Sequence, residues 1–147
     1  MKEIPGQDNV PYEKRASDIE CFIDFFHATY SYLVYDIAIV IAYLSIESKL
    51  VDPLDVGGHV LAGYLTERTI TKEEFQVLNL CICGRLCQTL VIGAYCYYKI
   101  PGNEYILTTS KRGWDVLRKY RSTTNEKIID RWNHIMDEYK TNNVPVI

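Results

Sequence analysis

The chain has 147 residues, of which 48% are hydrophobic and 24% charged, the usual balance of one soluble globular domain. Its formal charge is −3 and its basic residues are scattered, so it carries no electrostatic footprint for nucleic acid or an anionic membrane surface, and neither is expected as a partner.

Residues 1–19 contain Pro5, Gly6 and Pro11 and keep no period, which reads as an N-terminal arm or loop. They hold neither the apolar core of a secretory signal nor the Arg/Ser-rich pattern of a transit peptide, so a cytoplasmic location is expected. Glu20 to Phe25 is a short aromatic and branched run that predicts a strand or part of a hairpin, with Asp24 near its end.

Helices then follow to the C-terminus. Leu33, Ile37, Val40, Ile41, Tyr43, Leu44 and Ile46 cover most of a helix circumference and predict a largely buried helix over 33–48, with Asp36 at its positive end. The run Leu33–Ile46 is the most apolar in the chain, and it falls short of the roughly 20 residues that cross a bilayer. Asp52-Pro53 supplies an N-cap and a first-turn proline for a second helix ending near Leu65.

Thr71 to Glu74 has the form of a capping box and opens a long third helix through Phe75, Leu78, Cys81, Ile82, Leu86, Leu90 and Val91 to about Tyr98, where Pro101-Gly102 stops it. A fourth helix is expected over 104–120, with Gly113 as a kink or close-packing point. Thr123 to Glu126 reads as a second capping box. Ile128, Ile129, Trp132, Ile135, Met136 and Tyr139 form the stripe of the last helix, and residues 141–147 read as a frayed tail. The fold class is mainly α, with a short residual strand or hairpin near the N-terminus.

The five cysteines, Cys21, Cys81, Cys83, Cys87 and Cys96, are odd in number and read as free thiols. Cys83 and Cys87 share a helix face at i, i+4, but no nearby His or Asp completes a tetrahedral metal set.

The stretch Phe22-Ile23-Asp24-Phe25-Phe26-His27, followed by Tyr32-Leu33-Val34-Tyr35-Asp36-Ile37-Ala38, resembles the segment after the catalytic loop of aminoglycoside phosphotransferases. In those enzymes an Ile-Asp-Phe-Gly-Asp motif ends a strand and a helix begins about a dozen residues later. Ala42-Tyr43, Gly57-Gly58-His59, Gly63-Tyr64, Arg85-Leu86 and Asn103-Glu104-Tyr105 look more narrowly like the hydroxylysine kinase branch. The resemblance covers roughly residues 20–121 and makes 20–140 a partial phosphotransferase C-lobe of the protein-kinase-like fold.

The resemblance implies magnesium, GTP and transfer of a phosphoryl group to the hydroxyl of 5-hydroxylysine or a similar small amine or amino acid. Such transfer needs charge neutralisation and in-line positioning by a lysine, metal ligands and an aspartate that orients the acceptor. Asp24 matches the family's metal-binding aspartate. Phe26 stands where the family has glycine and His27 where it has a second acid, which implies a degenerate metal site.

No histidine precedes His27, so the His-Gly-Asp catalytic loop is absent from these residues and the chain by itself is expected to be inactive. The alternative is a non-catalytic helical binding or interaction module. Asp36, Glu47 and Glu104 are the acids placed to meet a substrate amine, and sequence does not choose among them. Asp36 is explained as simply by the helix dipole. His59 and His134 have no partner that their spacing brings close. Gly57-Gly58 reads as close helix packing, and Tyr95, Tyr97 and Tyr98 as core or pocket wall. Phe22, Phe25 and Phe26 are expected to leave an exposed apolar patch and to promote self-association.

Overall fold

The computed structural model describes residues 30–102, 107 and 109–141, and these form five helices and no strand. The chain divides into two compact units, Met1–Tyr30 and Ser31–Ile147, and the five described helices belong to the second. The expected strand and Asp24 lie outside the described residues, as do Glu104 and Tyr105.

Helix α1 spans Leu33–Glu47 and buries Val34, Ile37, Ala38, Ile41, Ala42, Ser45 and Ile46. Four residues expected in its core, Leu33, Val40, Tyr43 and Leu44, are exposed instead. A helix apolar on all sides does not say which side its neighbours cover; here α3 and then α2 cover one side.

Helix α2 spans Val56–Glu67, starting later than the Asp-Pro signal indicated. The Asp52 carboxylate accepts the Leu54 N–H at 2.9 Å and so shapes a turn ahead of the helix. Gly57 and Gly58 are close-packing points. A Cβ on Gly57 would overlap the Trp132 indole, and one on Gly58 would come within 2.9 Å of Ile135 Cβ.

Helix α3, Lys72–Lys99, begins with the capping box read from sequence: Glu74 N–H donates to Thr71 Oγ1 at 3.1 Å and Thr71 N–H to Glu74 Oε2 at 2.9 Å. Gly102, at φ +100°, turns the chain out of it. Length and composition make α3 the one described helix able to cross a membrane. The apolar run Leu33–Ile46 lies in a helix of 15 residues, short of that length as expected. In the fold, Leu78, Ile82, Leu86 and Leu90 pack into the core.

Helix α4, Ser110–Ser122, is shorter than expected at its start. Gly113 serves close packing, since a Cβ there would lie 2.6 Å from Leu90 Cδ2. Helix α5 spans Asn125–Thr141. The second capping box does not form around Thr123. This residue is the C-cap of α4, and its hydroxyl donates back to the Lys119 carbonyl at 2.9 Å, while α5 begins two residues later.

The core runs between α1, α3 and α4 and continues along the α2–α5 contact. Its polar groups are paired. Trp132 Nε1 donates to the Leu54 carbonyl at 2.8 Å, and Tyr120 and Ser45 hydroxyls both donate to the Pro53 carbonyl, at 2.9 and 3.0 Å. The loop before α2 is thereby clamped by three other helices. Burial raises the Tyr120 phenol, which stays neutral and able to donate.

Candidate functional site

Of the three acids weighed for a substrate amine, Asp36 and Glu47 fall within the described residues. Asp36 is in the first turn of α1 and Glu47 is its last residue; both are exposed. Neither takes part in a salt bridge among the described residues.

Glu47 and Ser48 form one wall of an open cavity of 560 Å³, whose other polar groups are His59 and Tyr139 and whose apolar wall includes Leu44, Val51, Val56 and Val60. His59, which sequence spacing left without a partner, has Nδ1 3.0 Å from the Tyr139 hydroxyl, with the two rings edge to face. The two residues lie 80 apart in sequence, so only packing of α2 on α5 joins them. His134 is 3.3 Å from Glu138 one turn on, an acid partner the sequence reading overlooked; both are exposed. The cavity offers a carboxylate, a hydroxyl, an imidazole and a phenol, which suits binding a polar amine.

A second polar cluster is structural. Arg131 makes a bidentate pair with Asp55, at 2.7 and 2.8 Å, and Lys119 meets Asp52 at 2.6 Å. Burial by itself would raise the Asp52 carboxyl, but the Lys119 hydrogen bond, the Leu54 N–H and the charges of Lys119 and Arg131 hold it below its ordinary value. These pairs tie the start of α2 to α4 and α5.

A third cluster faces outward between α1 and α3. The Arg85 guanidinium donates from Nη2 to the Tyr43 hydroxyl at 3.1 Å and from Nη1 to Gln88 Oε1 at 2.9 Å. Its carbon lies 5.4 Å from the Tyr43 ring centre, in cation–π range. Tyr43 also meets Thr89 Oγ1 at 3.4 Å. The hydrogen bond to Thr89 pulls the Tyr43 phenol below its usual value, burial pushes the other way, and Arg85 adds to the lowering. Sequence reasoning read Tyr43 as core and gave Arg85 no role of its own. A signal was present, because Arg85 is the only charged residue between Glu74 and Lys99.

The described residues do not fit magnesium or a triphosphate. No three His, Cys, Asp or Glu side chains converge among them. The 560 Å³ cavity and a smaller one of 310 Å³ beside Cys83 are lined by a single cation, Arg121.

Comparison with known proteins finds no matching family model and no matching solved structure. It does find hydroxylysine kinases. The chain is 38% identical over 120 residues to the hydroxylysine kinase of Bos taurus and 37% identical over 120 residues to that of Mus musculus, covering 81% of this chain in each case. A homoserine kinase from Chelativorans sp. (strain BNC1) is 30% identical over 89 residues, 60% of this chain and 28% of that protein. The chain spans 31% of the length of the two hydroxylysine kinases. Over 81% of its length, therefore, this chain is homologous to hydroxylysine kinases, and it is a helical, hydroxylysine-kinase-like fragment.

Proposed function

We propose that this chain is the helical, acceptor-facing wall of a small-molecule kinase that transfers a phosphoryl group from GTP, with magnesium, to the hydroxyl of 5-hydroxylysine or a similar amino acid. The observation that carries this is the match of 81% of the chain to hydroxylysine kinases. The exposed carboxylates of α1 and the polar cavity beside Glu47 support an acceptor-side role, because an amino acid's ammonium groups need such partners. Asp24 is proposed as the remnant of a metal site with Phe26 and His27 beside it, and these 147 residues alone are proposed to be inactive.

The reading is tested by grafting. Residues 30–141 replace the matching segment of the bovine enzyme, which keeps its own catalytic loop and metal ligands. A folded chimera that still phosphorylates 5-hydroxylysine is the expected result, and a folded chimera with no turnover overturns the acceptor-wall role. The 147-residue chain assayed with GTP, magnesium and 5-hydroxylysine should stay at background; turnover above it would end the inactivity proposal.

A second reading, a binding module without chemistry, draws on the same 560 Å³ cavity. It predicts calorimetric heat with hydroxylysine or related amines from a chain that never turns them over, together with an inactive chimera.

A further inference from the structure

Arg85 is a charge without a counter-charge. It is half-buried on α3, and no carboxylate pairs with it among the described residues. A guanidinium carries five N–H hydrogens in a planar fork. One is taken by Tyr43 and one by Gln88, both neutral acceptors. The Nε–H is buried and has no partner among the described residues. Leaving a buried donor of a charged group unpaired is costly, and native folds rarely do so without a reason.

The setting favours a ligand over a loose surface arginine. Tyr43 receives both a hydrogen bond and the face-on approach of the guanidinium, so the fork is oriented before anything binds. Orientation matters because a carboxylate is recognised best by two parallel N–H donors in one plane.

The charges around the fork repeat a pattern. Asp36, Tyr43 and Glu47 are spaced by seven and four residues, which puts them on one strip of α1. At 1.5 Å per residue, Asp36 lies about 10 Å and Glu47 about 6 Å along the axis from Tyr43. Both acids are exposed and lack ion-pair partners among the described residues, so the strip presents a carboxylate on each side of the Tyr43–Arg85 cation. A ligand that complements it carries one carboxylate and two ammonium groups, as a dibasic amino acid does. A phosphate dianion suits it less well, because Arg85 is the only cation in the stretch of α3 between Glu74 and Lys99.

We propose that Arg85, oriented by Tyr43 and Gln88, is the carboxylate anchor for a dibasic hydroxy amino acid, whose ammonium groups are met by Asp36 and Glu47. This rests on the acceptor-wall reading and adds to it the residues that separate amino acids from simple amines. Arg85 acts as a specificity determinant; it touches no reacting group.

The test uses the full 147-residue chain, labelled with nitrogen-15, and follows the Arg85 Nε–H resonance, assigned by its loss in Arg85→Lys. Acetate, inorganic phosphate, 5-hydroxylysine and 1,5-diaminopentan-2-ol, which is hydroxylysine without its carboxylate, are titrated in turn. Acetate and hydroxylysine are expected to shift the resonance, hydroxylysine at the lower concentration, and the diaminoalcohol to leave it in place. Arg85→Met should weaken hydroxylysine about tenfold to a hundredfold while leaving the diaminoalcohol unchanged. Arg85→Lys should restore part of the loss.

An Arg85 resonance that neither acetate nor hydroxylysine moves overturns the proposal, as does phosphate binding more tightly than acetate. A diaminoalcohol bound as tightly as hydroxylysine does so too. If acetate shifts Arg85 but hydroxylysine binds no better than acetate, the carboxylate site stands and the acceptor-wall reading falls. Should Arg85→Met fail to fold, the wild-type titrations and Arg85→Lys decide the matter alone.

Discussion

The α2–α5 contact and the outward α1–α3 face show two ways in which one helical unit treats its surfaces. Between α2 and α5 nothing is left over. Gly57 lies against the Trp132 indole with no room for a Cβ, the indole N–H reaches the Leu54 carbonyl, and Asp55 and Arg131 close their pair with two hydrogen bonds. On the outward sides of α1 and α3, Val40, Leu80, Val91, Ile92 and Tyr95 remain exposed, and the Arg85 Nε–H has no acceptor among the described residues. The contrast separates what the unit needs for its own folding from what it offers to something else. Apolar surface of this extent on a helix is seldom left uncovered without a use.

The contrast is broken most severely at Gly57. Gly57→Val would drive a branched side chain into the indole, and a loss of about 3 kcal/mol or more in urea unfolding is expected, close to the 3–5 kcal/mol typical of Trp132→Ala. A Gly57→Val chain as stable as wild type would mean that α2 and α5 do not pack as described.

A smaller effect is expected where α2 meets α4. The Asp52 carboxyl is held below its ordinary value in the fold, so its contribution is complete above the unfolded value of about 4 and is lost as pH falls through the folded value. Asp52 and Lys119 are each about a third or more exposed, so the pair is worth about 1 kcal/mol or less. Asp52→Asn should be less stable than wild type at pH 7 by that amount, and the two should converge in acid. Curves that stay parallel from pH 7 to pH 3 would remove Asp52 from the account.

The smallest effect belongs to the open face. Leu80→Ser on α3 should change unfolding stability by no more than about 0.5 kcal/mol, since Leu80 is 66% exposed. The same change should reduce association at high concentration in sedimentation, if the exposed strip rather than Phe22, Phe25 and Phe26 governs self-association.

Much of the helical order was legible because the signals were local. The Thr71–Glu74 capping box, the Pro101-Gly102 stop and the Gly57-Gly58 packing point all appear where sequence placed them. The misreadings had one origin. Thr123 looked like a cap for the helix after it and serves the helix before it, because a threonine between two helices can turn its hydroxyl either way. Leu33, Val40, Tyr43 and Leu44 looked like core because α1 is apolar all round. The site was less legible still. His59 and Tyr139 meet across 80 residues, and Arg85 and Tyr43 across 42.

By itself the sequence determined that the chain is mainly helical, where most helices begin and end, and that it resembles hydroxylysine kinases. Those properties depend on side chains a few residues apart and on ancestry. Only the tertiary structure decided which side of α1 is covered, that His59 faces a phenol, and that Arg85 lies against Tyr43 with no ion-pair partner among the described residues. Burial and charge pairing are set by neighbours distant in the chain, and no local period encodes which neighbours those will be.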